Sequence, residues 1–209
     1  MKQILFDLDG TLTDSGEGIM NCAELTLAHY ELPIPARQEL RSIVGPPLKD
    51  SFLRLGIPEA ELEHAVAFYR KHYVAKGQFE NFPYPGIAQL LQQLKSEGNQ
   101  LYVATSKPEE MAIQILRHFQ LNTYFDHICG AVSDAKRNTK EDVIEHLLTL
   151  LDSKDQLVMV GDTIFDVKGA AYHSIPTVAV TWGYGDVNEM KNAGATIVST
   201  MDELYEALQ

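Results

Sequence analysis

Hydrophobic residues follow two different patterns along this chain. Short apolar runs alternate with amphipathic stretches near the start of the chain and again from about residue 81 onwards, which is typical of strands and helices in a parallel sheet. From residue 16 to about 80 the periodicity is helical throughout, with turns marked by proline and glycine. The pattern predicts an α/β fold in which a doubly wound parallel sheet is interrupted by an all-helical block.

The predicted core occupies 1–15 and 81–209, and the helical domain occupies 16–80. Linkers are expected at roughly 14–17 and 79–85. After the first strand, a helix is predicted near 86–97 and further strands near 101–104, 127–131, 157–160, 176–181 and 196–198. In the helical block two apolar stripes predict a bundle core, formed by Ile19, Ala23, Leu27 and Tyr30 and by Leu62, Val66, Tyr69 and Tyr73.

Two aspartates come directly after the first apolar run, Ile4–Phe6. Asp7 and Asp9 are two residues apart, so on extended backbone they face the same side, at the carboxyl end of a strand where α/β sheets bind ligands. Adjacent carboxylates repel each other unless a cation lies between them, and Mg²⁺ prefers such oxygen ligands. Gly10 then permits a tight turn. An isolated pair of this kind is equally well a polar turn.

A second acidic pair follows the apolar run at 157–160. Asp162 is expected to open the next helix, with Asp166 four residues further along the same face. One aspartate at this place is explained as a helix cap. The second strand-end pair makes a binding site the better interpretation.

Two further strand ends carry polar groups suited to an anion. Thr105 and Ser106 follow the strand near 101–104, where hydroxyl and amide donors precede the next helix, and Lys140 precedes an amphipathic run. Each of them alone is explained as a cap or a solvated charge. In this order, carboxylates, hydroxyls and lysine supply what a metal-bound phosphoryl group requires.

The ordered motifs resemble those of the haloacid dehalogenase superfamily of phosphatases. They are the run from Asp7 to Thr11, then Thr105, Lys140, and Asp162 with Asp166, and the resemblance covers almost the whole chain. The stretches 44–48 and 181–185 are similar to phosphoglycolate phosphatases and 5′-nucleotidase-like enzymes. Lys140 is followed by Glu141 where many phosphoglycolate phosphatases have proline, and the run from Arg137 is more similar to the 5′-nucleotidase-like branch.

The resemblance implies a Rossmann-like core with a helical cap, and a role for each motif residue. Asp7 would be the nucleophile that forms an aspartyl phosphate, and Asp9 the general acid and base. Mg²⁺ would be held by Asp7, the backbone carbonyl of Asp9 and Asp162, with Asp166 in support. The phosphoryl group would be bound by Thr105, Ser106 and Lys140, with Gly10 at the turn. The substrate would be a small phosphorylated metabolite.

Composition limits the other possible functions. A net charge of −12 argues against a nucleic-acid partner. With only Cys22 and Cys129, no disulfide framework is expected. No apolar stretch approaches the length of a membrane span, and the first strand leaves no room for a signal peptide, so we expect a cytoplasmic protein without membrane partners. A monomer or weak homodimer is expected, and the seven histidines show no metal-ligand spacing.

Three other functions remain open at this point. A sugar-phosphate mutase would share the motifs, a catalytically silent binding protein would share the fold, and a receiver domain would share strand-end acids but not the helical insertion. Lys49 follows a Gly-Pro-Pro turn and is a candidate substrate contact in the cap. Trp182 and Tyr184 follow a strand end, where packing at the edge of the core and a substrate or cap contact remain open alternatives.

Overall fold

Six apolar segments form one parallel sheet in the computed structural model, which describes residues 1–132 and 137–209. Its strands are β1 (Gln3–Phe6), β4 (Gln100–Pro108), β5 (His127–Ala131), β6 (Leu157–Gly161), β7 (Thr177–Val180) and β8 (Thr196–Val198). Their order is β5-β4-β1-β6-β7-β8, and all neighbours are parallel. The order changes direction between β1 and β6, and such a switch point is where open α/β sheets bind ligands.

Helices cover both faces of this sheet because successive residues of each strand point to opposite sides. These helices are α5 (Ile87–Ser96), α6 (Glu109–His118), α7 (Lys140–Leu150), α8 (Ile164–Tyr172), α9 (Val187–Asn192) and α10 (Met201–Ala207). Ile4 and Phe6 of β1 belong to the apolar core that includes residues of α5, α6 and α10. Leu5 belongs to the opposite core, with residues of α7 and α8. The predicted doubly wound sheet is confirmed.

The sheet belongs to one of two compact units, which comprises Met1–Thr13 and Pro83–Gln209. The other unit, Asp14–Phe82, contains α1 (Gly16–His29), α2 (Arg37–Leu40), α3 (Leu48–Arg54) and α4 (Leu62–Ala75), together with short 3₁₀ turns. Both predicted stripes are buried except for Tyr30, which follows the last turn of α1 and is partly exposed. That this unit acts as a cap stays a prediction.

Two short strands, β2 (Thr13–Asp14) and β3 (Phe82–Pro83), form a separate two-stranded sheet. Among the described residues, no helix is both long and apolar enough to span a membrane.

Two boundaries differ from the predictions. Strand β4 continues to Pro108 instead of ending near residue 104, so Thr105, Ser106 and Lys107 lie on strand backbone with a register irregularity. Helix α8 does not open at Asp162: its N-cap is Thr163, and Asp166 occupies the third helical position of a capping box. Because Thr163 provides the cap, the Asp162 side chain is available for other contacts.

Candidate active site

The first acidic pair lies on the extension of β1. The backbone N–H of Asp7 donates to the Val160 carbonyl at 2.9 Å, which continues the ladder between β1 and β6 past the end of the strand. Leu8 is fully buried in the apolar core. Asp7 and Asp9, on either side of it, carry their carboxylates to the polar end of the sheet, as the alternation of an extended segment requires.

Three buried carboxylates meet at this end of the sheet. Asp7, Asp162 and Asp166 each offer an oxygen, and these oxygens lie within 4.8 Å of one another. Asp162 accepts a hydrogen bond from the Thr11 hydroxyl at 3.1 Å and another from the Tyr184 backbone N–H at 2.8 Å. The orientation of Asp162 is therefore set by two segments far apart in the sequence.

Asp166 makes different contacts with its two oxygens. Its Oδ2 accepts from the backbone N–H of Thr163 at 3.0 Å and from the Thr163 hydroxyl at 2.8 Å, which completes the helix cap. Its Oδ1 lies 2.7 Å from the ammonium of Lys140. Asp166 thus completes the capping box of α8 and is also an anionic partner of the site lysine.

Lys140 bridges the two acidic motifs. Its buried Nζ lies 2.8 Å from Asp7 Oδ1 and 2.7 Å from Asp166 Oδ1, and it donates to the Ala104 carbonyl at 2.9 Å. The capping box of Thr139 and Asp142 starts α7 at this residue and so fixes where the side chain begins. The ammonium is therefore held between one carbonyl oxygen and two carboxylates.

Two glycines allow the backbone to approach Asp162 closely. Gly10 has a φ of +87°, and a Cβ there would lie 2.1 Å from Asp162 Oδ2. A Cβ on Gly183 would lie 2.2 Å from the same oxygen. Any side chain at either position would displace the carboxylate. Gly183 was not predicted as a site residue.

Burial changes the proton affinities of these groups. Desolvation raises the pKa of Asp7 from 3.8 to about 6; the Lys140 charge opposes this rise and Asp166 adds to it. Desolvation, with the charges of Asp166 and Asp7, also holds the pKa of Asp162 well above its usual range. Burial lowers the pKa of Lys140, but the carboxylates of Asp166 and Asp7 outweigh that effect and raise it overall.

The excess of negative charge fits a divalent cation. Three buried carboxylates face one buried lysine, which leaves the cluster with an uncompensated charge of −2 when all are ionised. Carboxylate oxygens are the ligands that Mg²⁺ prefers, and a dication would balance the remaining charge. Asp7 and Asp162 would hold the ion, with Asp166 nearby.

Of the predicted phosphoryl-binding residues, Thr105 and Lys140 lie beside Asp7. The Thr105 hydroxyl donates a hydrogen bond to Asp7, and Thr105 is buried. Ser106 is the next residue on the strand and is exposed. Its role in binding substrate stays a prediction.

A second lysine, Lys107, was missed as a site residue. Its Nζ lies 2.7 Å from Asp9 Oδ2, and its side chain is only 6% exposed. The signal was present, since Lys107 is two residues after Thr105 and so faces the same side of an extended strand. The strand was predicted to end too early for this alternation to be applied.

The remaining candidates are distributed as follows. Lys49 belongs to the helical unit, at the start of α3, where it forms an exposed ion pair with Glu63. Trp182 packs against the apolar core, and its ring N–H donates to the Thr11 carbonyl at 3.2 Å. Tyr184 contributes its backbone N–H to Asp162. The packing role of Trp182 is thus observed, while a substrate or cap contact of Trp182 and the substrate role of Lys49 stay predictions.

Comparison with known proteins finds one matching family and several relatives that are similar over most of this chain. The family model described as haloacid dehalogenase-like hydrolase matches residues 4–180. The chain is 44% identical over 209 residues to a Mycobacterium tuberculosis protein named tyrosine-protein kinase PtkA, covering 98% of this chain and 72% of the relative. It is 39% identical to a 5′-nucleotidase of Pseudomonas aeruginosa, covering 90% and 86% of the two chains. A phosphoglycolate phosphatase of Aquifex aeolicus is 32% identical, with 90% and 88% covered.

A solved structure agrees with these relatives. The structure of a predicted phosphatase from Clostridium acetobutylicum is 44% identical, covers 99% of this chain and 97% of that chain, and superposes with a TM-score of 0.93. The family match spans both acidic motifs and both lysines described above. This chain therefore belongs to the haloacid dehalogenase-like hydrolases, and it is a phosphatase of that family.

Proposed function

We propose that the protein is a Mg²⁺-dependent phosphomonoester hydrolase that acts on a small phosphorylated metabolite through an aspartyl phosphate on Asp7. The observation that carries the proposal is the buried cluster of Asp7, Asp162 and Asp166 with Lys140 as its single lysine among the described residues. Such a cluster is costly unless a dication completes it, and a dication beside a nucleophilic carboxylate serves phosphoryl transfer.

In the first step a carboxylate oxygen of Asp7 attacks phosphorus, an O–P bond forms, and the P–O bond to the leaving alcohol breaks. Asp9 gives its proton to that leaving oxygen. In the second step Asp9 takes a proton from water, the water oxygen attacks phosphorus, and Asp7 is released with inorganic phosphate. Bound Mg²⁺ would supply charge compensation for the phosphoryl oxygens. Thr105 and Lys140 would bind these oxygens from the other side.

Phosphoglycolate is the substrate that we propose first, because two relatives named phosphoglycolate phosphatase match this chain over nearly its full length. A nucleoside 5′-monophosphate is the second candidate. The 5′-nucleotidase relative is the more similar of the two, and the run from Arg137 to Asp142 is more similar to that branch.

The test measures phosphate release from a panel of phosphomonoesters, with Mg²⁺, with Ca²⁺, and after EDTA treatment. We expect turnover with Mg²⁺, poor turnover with Ca²⁺ because its coordination is looser, and none after chelation. Asp7→Asn should abolish turnover, whereas Asp9→Asn should slow both steps by about 10²- to 10⁴-fold. The exposed Asp152→Asn is the matched control and should leave the rate unchanged.

Product analysis separates this activity from its alternatives. Free phosphate supports a phosphatase, an isomeric sugar phosphate supports a mutase, and phosphotyrosine formed from ATP supports the activity for which the PtkA relative is named. Full turnover in a metal-free preparation, or by Asp7→Asn, would contradict the proposed mechanism.

A further inference from the structure

Lys107, which is buried, forms an ion pair with Asp9, which is partly buried. The Nζ of Lys107 lies 2.7 Å from Asp9 Oδ2, and the side chains are 6% and 17% exposed. The other oxygen, Asp9 Oδ1, is buried and has no hydrogen-bond partner among the described residues. One oxygen of this carboxylate is therefore held, and the other remains available.

The pairing follows from two neighbouring strand ends that use the same spacing. Strands β1 and β4 are adjacent and parallel, with Phe6 beside Val103. Beyond that pair, Asp7 and Asp9 alternate on one strand end and Thr105 and Lys107 on the other. Thr105 contacts Asp7, and Lys107 contacts Asp9.

The two contacts are also linked to each other through the backbone. The backbone N–H of Lys107 donates to the Thr105 hydroxyl at 3.3 Å. This hydrogen bond fixes the position of Lys107 relative to Thr105, the residue that contacts the nucleophile. It therefore links the Lys107–Asp9 pair to the Thr105–Asp7 pair.

Stability alone does not account for this arrangement. A buried lysine and aspartate gain little over two apolar residues of the same size, because both charges must be desolvated. An orienting role does account for it. A carboxylate that transfers protons in two successive steps must keep one oxygen directed at the reacting atoms, and a fixed contact to its other oxygen restricts its rotation.

We propose that Lys107 is a positioning residue that fixes the orientation of Asp9 for both proton transfers. This inference rests on the proposed function, in which Asp9 is the general acid and base. Lys107 acts through Asp9 and does not bind the phosphoryl group.

The test is a double-mutant cycle with Lys107→Met, Asp9→Asn and the double variant, assayed with Mg²⁺ on two substrates. Glycerol 2-phosphate has a leaving oxygen that needs a proton, whereas p-nitrophenyl phosphate has one that needs little. Lys107→Met should lower kcat/KM for glycerol 2-phosphate by about 10- to 100-fold, as expected for a displaced acid, and by only about 3-fold for p-nitrophenyl phosphate. Lys107→Met introduced into the Asp9→Asn variant should cause no further loss of kcat/KM.

Binding measurements and a control complete the design. The Kd for inorganic phosphate with Mg²⁺, measured by calorimetry, should stay unchanged in Lys107→Met, and Lys107→Arg should recover part of the rate. The control is Lys95→Met, which removes another lysine paired with an aspartate, Asp126, at 2.9 Å but on the exposed surface. Lys95→Met should leave kcat/KM unchanged for both substrates.

The outcomes are distinct. An equal loss of kcat/KM in the Asp9→Asn background, or a weaker Kd for phosphate, would assign Lys107 to substrate binding and overturn the proposal, as would wild-type rates in Lys107→Met. If Lys107→Met does not fold, the comparison of Asp9→Asn with the double variant, which buries no unpaired charge, decides the question together with Lys107→Arg. A wild-type protein that hydrolyses no phosphomonoester would instead contradict the proposed function itself.

Discussion

Asp7→Asn should stabilise the metal-free protein although it abolishes turnover. The folded protein raises the pKa of Asp7 from 3.8 to about 6, chiefly by burial. The folded state then binds a proton more tightly than the unfolded chain does. Ionised Asp7 is therefore unfavourable in the folded state, and its contribution to stability falls as pH rises between about 4 and 6. Asparagine has nearly the same shape and carries no charge, so it removes this penalty.

The size of the effect follows from the pKa difference of about two between the folded and unfolded states. At 1.36 kcal/mol for each pKa unit, ionisation of Asp7 costs the folded protein about 3 kcal/mol at neutral pH. For a protein of this size that corresponds to an increase in Tm of about 6 to 12 °C in Asp7→Asn. At pH 4 the folded wild-type carboxyl is almost wholly protonated, so it carries little of this penalty and most of the difference should disappear.

The assay is urea denaturation of wild type and Asp7→Asn in EDTA at pH 4, 6 and 7.5, repeated with Mg²⁺. The dication should stabilise wild type at pH 7.5 and reduce or reverse the advantage of the variant, because it binds the folded state and compensates the carboxylates. The exposed Asp152→Asn serves as the control, because it removes a carboxylate that lies outside the acidic cluster. If Asp7→Asn is less stable than wild type at pH 7.5 in EDTA, burial does not penalise Asp7 and the charge argument for the metal fails.

Three other perturbations test separate parts of the molecule. Lys140→Met leaves Asp7 and its neighbours without their buried cation, so in EDTA at neutral pH its free energy of unfolding should fall by about 3 to 5 kcal/mol, measured by urea denaturation. Gly183→Ala places a methyl group 2.2 Å from Asp162 Oδ2 and should lower kcat strongly. Its control is Gly98→Ala, where a Cβ meets open space at a φ of +84°. This change should lower the stability by only about 1 to 2 kcal/mol and leave kcat unchanged. If the helical unit selects the substrate, Lys49→Ala should lower kcat/KM for the preferred metabolite but not for p-nitrophenyl phosphate, and Lys71→Ala, an exposed change in the same unit, should affect neither substrate.

Local sequence was sufficient for the architecture and for most of the site. The apolar runs at 4–6 and 157–160 became strands because a strand buried on both faces needs an uninterrupted apolar segment. The two acidic pairs were recognisable because each follows such a run, and parallel strands end at one edge of the sheet. These features depend on neighbours in the chain, and so a single sequence contains them.

Contacts between distant segments were decided only by the tertiary structure. Three sets of contacts join residues between 21 and 98 positions apart. They are the pairing of Lys107 with Asp9, the enclosure of Asp162 by Gly183 and Tyr184, and the bridge from Lys140 to Asp166. Thr163 and not Asp162 caps α8, because Asp162 is drawn to Thr11 and to the loop at 184. Each side chain's type restricted its possible partners, but strand order and register brought one specific partner within hydrogen-bond distance, and these are properties of the whole sheet.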